Sequence, residues 1–364
     1  MKIKFKVLII VGSIFLVILI AAGAFVLNLD IKARRIGDCS LDIKNNQDKV
    51  VSLNKEYSIA TYNIGFGAYD QEFSFFMDEG YDEDGNIVKG KYGKGRSYND
   101  VLENTNGSID LLKEINADFI LAQEVDTKST RSYKINQLDL LISKFNDFSY
   151  SYAINFHSGY LPYPFNDMHG KVNSGILSLS RFNINKANRI ELPIDFSFPT
   201  KFFDLDRCLS ITRYSVLDKE LVIINAHLSA YDKGGVYRKA QLDLLNNLIN
   251  EEYSHNNYVI VGGDFNHDLV NSYQRKLFKT NQGRPDWLKD FPTDELSDNF
   301  KLYACDEAPS CRDADTPYVK DETFTSVVDG FIVSKNVSVS SVKTINNEFK
   351  YSDHNPVVLK FKLE

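Results

Sequence analysis

The sequence predicts an α/β domain carried behind one membrane-spanning helix. Three observations lead there. Residues 7–27 form an uncharged apolar run of bilayer-spanning length. The remaining chain interleaves short apolar runs with stretches of helical period. Several of those apolar runs end in Asp, Glu, Asn or His. Composition sets the outer limits. With 364 residues, 43% hydrophobic, 25% charged and four cysteines, the chain is neither disordered, collagen-like nor a disulfide-knot scaffold. The balance of 49 acidic against 42 basic residues, net −7, argues against gripping long nucleic acid by phosphate neutralisation. It leaves room for an enzyme that handles phosphate through a metal.

The apolar run from Val7 to Leu27 follows Lys2, Lys4 and Lys6 and precedes Lys32, Arg34 and Arg35, so the flanking charge orients it weakly. The reading adopted is a signal-anchor: residues 1–6 as a short cytoplasmic tail, 7–27 as the transmembrane helix, and the bulk of the chain extracytoplasmic. The alternative is a secreted protein released by cleavage near Ala24, since Ala22-Gly23-Ala24 has the small-x-small form of a cleavage site. Residues 28–55 are polar and weakly patterned, and read as a tether. Residues 56–364 read as one domain, with no long Gly/Ser or Pro linker to divide them. Cys305 and Cys311 form a candidate local disulfide, and Cys39 and Cys208 a long-range one.

Strands are expected at Ser58–Tyr62, Phe119–Ala122, Ser149–Asn155, Gly175–Ser180, Leu221–Asn225, Tyr258–Val261, Gly330–Val333 and Pro356–Phe361. Helices are expected at Val101–Asn116, Lys134–Lys144 and Val236–Glu252, where leucine and isoleucine recur at helical spacing. Between the first strand and first helix lies an insertion. Its Asp84-Gly85-Asn86 is a hairpin turn signal. The acidic run Asp78, Glu79, Asp82, Glu83, Asp84 fails the calcium-loop template, because Gly80 stands where the first ligand belongs; a solvated acidic hairpin is the reading. The aromatic, Pro-punctuated segment Phe156–Lys171 reads as a substrate pocket, a membrane-facing rim or ordinary loop packing, and Ala230–Gly235 as another rim loop.

Polar residues at strand ends carry the chemistry. Asn63, Glu124, His227, Asp264 and Asp329 each adjoin an apolar run, and Asp353-His354-Asn355 precedes the last one. Singly, each is an ordinary turn former or a satisfied structural histidine. Together they exceed what packing requires, because unpaired buried polar groups cost on the order of several kcal/mol and need partners or a ligand. Oxygen donors without cysteine suit a hard ion, Mg²⁺ or Mn²⁺. Metal-assisted hydrolysis of a phosphoester requires this mixture of carboxylates, amides and imidazoles.

The motifs Ala60-Thr61-Tyr62-Asn63, Gln123-Glu124-Val125, Asn225-Ala226-His227-Leu228, Gly263-Asp264-Phe265-Asn266 and Ser352-Asp353-His354-Asn355-Pro356 occur in that order. In this the chain resembles the endonuclease/exonuclease/phosphatase superfamily over residues 57–364. The resemblance implies a four-layer α/β sandwich of two mixed sheets flanked by helices. It implies metal ligands Glu124 and Asp353 with Asn63 beside them. It further implies catalytic roles for His227 on a phosphate oxygen, Asp264 on the attacking water, Asn266 on the phosphate, and an Asp329–His354 dyad, with either Asp264 or His354 as the base. Asn173 and Arg207 match less closely, as substrate contacts or as braces. The function implied is Mg²⁺-dependent phosphoester hydrolysis, as phosphodiesterase or phosphatase, by a membrane-anchored domain acting on a lipid headgroup or small phosphoester. The alternative is a surface or secreted deoxyribonuclease with the same chemistry. A catalytically dead binding module conflicts with the complete residue set, and no obligate protein partner is implied.

Overall fold

The computed structural model describes residues 2–232 and 234–364. Met1 of the expected tail and Lys233 of the second rim loop lie outside them. Helix α1 (Lys2–Lys32) includes the apolar run, and its side chains from Phe5 to Leu27 are exposed. Residues Phe5–Lys32 are long and apolar enough to cross a membrane. Among the described residues, contacts with the rest of the chain gather at its C-terminal end: Leu29 and the following Ala33 pack with Leu161 and Phe202, and Asp30 pairs with Lys201.

Thirteen principal strands build two mixed sheets. In chain order they are β1 (Cys39–Ser40), β2 (Glu56–Asn63), β3 (Phe119–Asp126), β4 (Ser149–His157), β5 (Asn173–Ser180), β6 (Lys186–Glu191), β7 (Cys208–Val216), β8 (Lys219–His227), β9 (Tyr258–Asp264), β10 (Phe300–Tyr303), β11 (Asp329–Ser334), β12 (Val337–Thr344) and β13 (Val357–Leu363). One sheet has the order β1-β6-β7-β8-β9-β11-β10, the other β12-β13-β2-β3-β5-β4. β8 runs parallel to β9 and β2 parallel to β3, while their outer neighbours are antiparallel.

Side-chain alternation explains the layers. Ile59, Leu121, Leu221, Ile223 and Phe361 point into a core shared by the two sheets. Their chain neighbours Ala60, Ala122, Val222 and Ile224 point outward. Those outer faces are covered by helices. On one side lie α2 (Tyr98–Ile115) and α3 (Gln137–Lys144), through Ile109, Leu112 and Leu141. On the other lies α4 (Val236–Ser254), through Leu242, Leu245 and Ile249. The result is the expected four-layer sandwich. Each helix overlaps the stretch where the periodicity places it, but α2 starts three residues earlier, because Ser97 caps it on Asp100 N, and α3 three residues later, where Asn136 caps it on Asp139 N.

Two expectations need revision. The stretch 28–55 is only partly free chain: β1 pairs with β6, Lys44 bridges Tyr150, and Val51 enters the inter-sheet core. All four cysteines are free thiols, Cys39 exposed and the other three buried. Cys39 and Cys208 sit on β1 and β7 with β6 between them, too far apart for a bridge.

Candidate active site

Strand pairing alone assembles half of the site. His227 ends β8 opposite Asp264, which ends β9 opposite Asp329 at the start of β11. Gly263 makes that row possible: at φ +154 a Cβ would lie 1.9 Å from the Ala226 carbonyl oxygen on the neighbouring strand. The facing sheet supplies Asn63 at the end of β2, opposite Gln123. A bulge between Ala122 and Val125 interrupts β3, and Glu124 adopts φ +56 there. The bulge turns the Glu124 carboxylate out of the ladder and into the site. The loop before β13 brings Asp353 and His354, tied down by Ser352 Oγ donating to Asn63 O at 2.8 Å.

Asn63 Nδ2 donates to Glu124 Oε1 at 3.2 Å and to Asp264 Oδ2 at 3.1 Å, linking the sheets across the pocket. Asp264 Oδ1 accepts from Asn266 N at 2.9 Å. Its Oδ2 lies 3.6 Å from His227 Nε2 and 3.7 Å from His354 Nε2. His354 Nδ1 contacts Asp329 Oδ2 at 2.8 Å. The expected dyad is therefore formed, and Asp264, Asp329 and the two histidines make one buried cluster.

Burial and charge separate the protonation states. Burial opposes charge on His354, but Asp329, then Cys311, Asp353 and Asp264, raise its pKa well above the imidazole range. His227 goes the other way: burial, then the nearby cations Arg207, His354 and Arg131, hold it well below, so it is neutral. Burial lifts Asp264 to about 7, against the pull of His354. Glu124 and Asp353 are also raised, chiefly by burial.

Asp264, Asp329 and His354 are close enough together to be mistaken for a metal cage. His354, bound to Asp329 at 2.8 Å and with its pKa raised, already places a positive charge among these carboxylates. Glu124 and Asp353 fit a hard cation better. They are half-buried carboxylates whose charge is disfavoured, the Asn63 amide stands beside Glu124, and their nearest cationic atoms are 3.9 Å (Arg131) and 4.0 Å (His354) away.

The site floors a cavity of about 660 Å³. Both rim loops expected from the sequence line it, through Phe156, Leu161, Tyr163 and His169, and through Ala230 and Tyr231. Arg207 lines it too, but spends its Nη1 on the His227 and Leu228 carbonyl oxygens, which braces the strand end; its Nε has no partner. Asn266 Nδ2 is likewise engaged by the Leu228 carbonyl at 2.8 Å. Asn173 does not line the cavity: its amide donates to Thr127 Oγ1 at 2.6 Å. Asn155 and Ser174 line it instead, with the Asn155 Nδ2 and Ser174 Oγ atoms buried and unpartnered. Sequence reading missed both, as well as Arg131, whose guanidinium forks onto Asp126 and stands beside Glu124. Asn155 ends an expected strand and carried the same signal as Asn63; Arg131, in a loop, carried none. The acidic hairpin forms as expected, Glu79–Tyr81 against Ile87–Lys89. Asp78, however, turns inward to accept from Tyr231 Oη at 2.5 Å.

Residues 60–354 match the family model described as "Endonuclease/Exonuclease/phosphatase family". A search among curated protein sequences finds no match. Among solved structures, the chain is similar to Danio rerio TDP2 complexed with a single-strand DNA product, at 13% identity and TM-score 0.52, over 85% of this chain and 100% of that one. It is similar to Caenorhabditis elegans TDP2 at 16% identity and TM-score 0.50, over 85% of this chain and 75% of that one. A family protein from Leptotrichia buccalis aligns at 16% identity and TM-score 0.50, over 84% of this chain and 100% of that one. At these identities the likeness is one of fold.

Proposed function

Since the chain belongs to the endonuclease/exonuclease/phosphatase family, whose members are metal-dependent phosphoester hydrolases, we propose that it is a membrane-anchored, extracytoplasmic enzyme hydrolysing a phosphoester held at the membrane, such as a lipid headgroup. One observation carries the membrane part: the end of α1 is latched to the loops that line the cavity. Arg35 Nε donates to Asp206 Oδ1 at 2.9 Å. Arg189 Nη2 and His157 Nε2 reach Asp206 Oδ2 at 3.0 and 3.3 Å. Leu29 packs on Leu161, itself a cavity residue. Exposed aromatics (Tyr160, Tyr163, Phe165, Phe196, Phe198 and Phe203) surround that junction, as suits the interfacial zone beside a spanning helix.

The chemistry follows from the protonation states. Glu124 and Asp353, with Asn63, would hold a divalent ion, Mg²⁺ or Mn²⁺. When bound, that ion supplies a Lewis acid for a phosphate oxygen. Water attacks phosphorus, and Asp264, poised near neutrality, takes its proton as the new P–O bond forms. The bond to the leaving alcohol breaks, and His354, held charged by Asp329, gives that oxygen a proton. The 3.7 Å approach of Asp264 Oδ2 to His354 Nε2 lets the first proton return to His354. Neutral His227, Asn155 and the Arg207 Nε face the cavity as donors for charge that develops on phosphate.

The test uses the full chain in detergent or vesicles with Mg²⁺ or Mn²⁺, with Glu124→Ala as the blank. Phospholipid vesicles, inositol phosphates and DNA are offered in parallel. Hydrolysis of a lipid or small phosphoester above DNA is expected. Cleavage of DNA alone would replace this reading with the nuclease one.

A further inference from the structure

Beside the phosphate site, the same cavity is lined by Asp78 and Asp313, carboxylates that the hydrolysis does not use, and Asp315 stands next to them. Residues 311–313 run along the Asp353–His354 segment: Cys311 bridges His354, and Arg312 N donates to Asp353 O at 2.9 Å. Asp313 therefore lies about two residues, roughly 7 Å, along from His354. Asp78 and Asp315 converge on it. A Cβ built on Gly80 would lie 2.4 Å from Asp315 Oδ2 and 2.9 Å from Asp313 Oδ2, so the two carboxylates close together on the Gly80 backbone.

Two of the three are satisfied by neutral donors. Asp78 accepts from Tyr231 Oη, and Asp315 from Gln282 Nε2 and the Thr316 hydroxyl. Asp313 is different. It is 3% exposed and lines the cavity. Its Oδ1 takes the Ala314 amide at 2.9 Å, while Oδ2 has no hydrogen-bond or ion-pair partner among the described residues. Arg312, the one nearby guanidinium, directs its Nη atoms to the carbonyl oxygens of Asp313, Thr316, Asp70 and Phe73. It leaves three carboxylates facing a single positive charge. Burial and the mutual repulsion of Asp313 and Asp315 hold the Asp313 carboxyl well above its usual range, as expected of a site short of a cation.

One open oxygen is a poor cage for a metal ion, which takes six or more oxygens when it is calcium. It suits a monovalent ammonium. The adjoining walls are aromatic: Tyr69, Phe75, Phe76 and Tyr231 line the cavity with Asp78 and Asp313, and Tyr69 packs on Phe75 at 6.0 Å between centroids. Aromatic walls around a carboxylate are the recognised environment for alkylammonium groups. We infer that Asp313, with Asp78 and the Tyr69 and Tyr231 rings, forms a subsite for the alkylammonium of a phosphodiester whose nitrogen lies a short carbon spacer from phosphorus. This rests on the phosphoesterase reading and narrows its substrate class.

Trp287, the only tryptophan in the chain, also lines the cavity and reports binding without turnover. Choline titrated into the full chain should change its fluorescence saturably, while the neutral isostere 3,3-dimethylbutanol does so at least about tenfold more weakly, a difference of about 1.4 kcal/mol. Asp313→Asn should erase that difference. In turnover, p-nitrophenyl phosphocholine should exceed its 3,3-dimethylbutyl counterpart at least about tenfold in kcat/KM, and Asp313→Asn should bring the ratio toward one. Phosphatidylcholine vesicles and free glycerophosphocholine, run side by side, tell a lipid source from a soluble one. Equal response to choline and its isostere, or a discrimination that survives Asp313→Asn, overturns the subsite. Hydrolysis of bis(p-nitrophenyl) phosphate with no ammonium preference overturns the subsite alone. No hydrolysis of any phosphodiester overturns the catalytic reading, while the fluorescence titration still decides the subsite.

Discussion

Arg131 offers a quantitative test of how the Glu124 loop is held. Its Nε and Nη2 donate to Asp126 at 3.1 and 2.9 Å, and its guanidinium stands 3.8 Å from the Phe66 ring centroid. Arg131 is 5% exposed and Asp126 fully buried, so solvent screens the pair little. Arg131→Met keeps most of the stem that packs on Phe66 and removes the charge. Asp126 then keeps only the Ser132 hydroxyl at 2.8 Å. Removing one partner of a buried pair costs about 3–5 kcal/mol. At about 2 °C per kcal/mol for a domain of this size, the unfolding midpoint should fall by roughly 6–10 °C. The assay is far-UV circular dichroism melting of the full chain in detergent. Adding Asp126→Asn to Arg131→Met removes the unpaired charge and should recover most of the loss, as a double-mutant cycle shows directly. Arg131→Lys should recover less, since one ammonium cannot reproduce the fork. A single variant within about 1 kcal/mol of the wild type, or a double variant no better than the single, would show that the pair does not hold this loop.

Three further outcomes follow from the site. Asp264→Asn should lower kcat by about 10²–10⁴-fold, the usual weight of a general base, with the fold retained by circular dichroism; a smaller loss moves the base elsewhere. Asp329→Asn removes the group that keeps His354 protonated, so the alkaline limb of the pH–rate profile should move to lower pH. The stability sign agrees, because a raised imidazole pKa stabilises the folded state fully below its ordinary value and is lost as pH rises through the folded one, so the wild-type advantage over Asp329→Asn in melting temperature should shrink with rising pH. Asp78 is lifted to about 7 mainly by burial, a shift that destabilises the folded state increasingly between its ordinary range and about 7; Asp78→Asn should therefore raise the melting temperature at pH 8 and leave it nearly unchanged at pH 4.

How much of the site was legible depended on where each residue sits relative to a strand. Asn63, Glu124, His227, Asp264 and Asp329 each close or open an apolar run, and strand pairing brings together residues at equivalent ends, so one-dimensional order predicted three-dimensional company. Strands β7 and β12 escaped notice because serine, threonine and lysine break their apolar runs, and β12 alternates its burial at one edge of its sheet. The Asp78–Asp313 pairing was out of reach for another reason. It arises between two loops whose meeting is fixed by neither period nor turn chemistry, and the run around Asp78 reads as solvated by composition.

Asn173 and Asn155 show what local pattern cannot resolve even inside a strand. Both lie at the same end of the β4–β5 pair, and either could have faced the phosphate. The pairing shifts register between Ile154 and Phe156, and one extra residue exchanges the faces that the following side chains occupy. Asn155 sits in that irregularity and turns its amide into the cavity. Asn173, opposite His157 beyond it, is left on the side where Thr127 takes its amide and Ser129 its carbonyl. The motif pointed to an asparagine facing the site; a bulge of one residue decided that Asn155, not Asn173, lines the cavity.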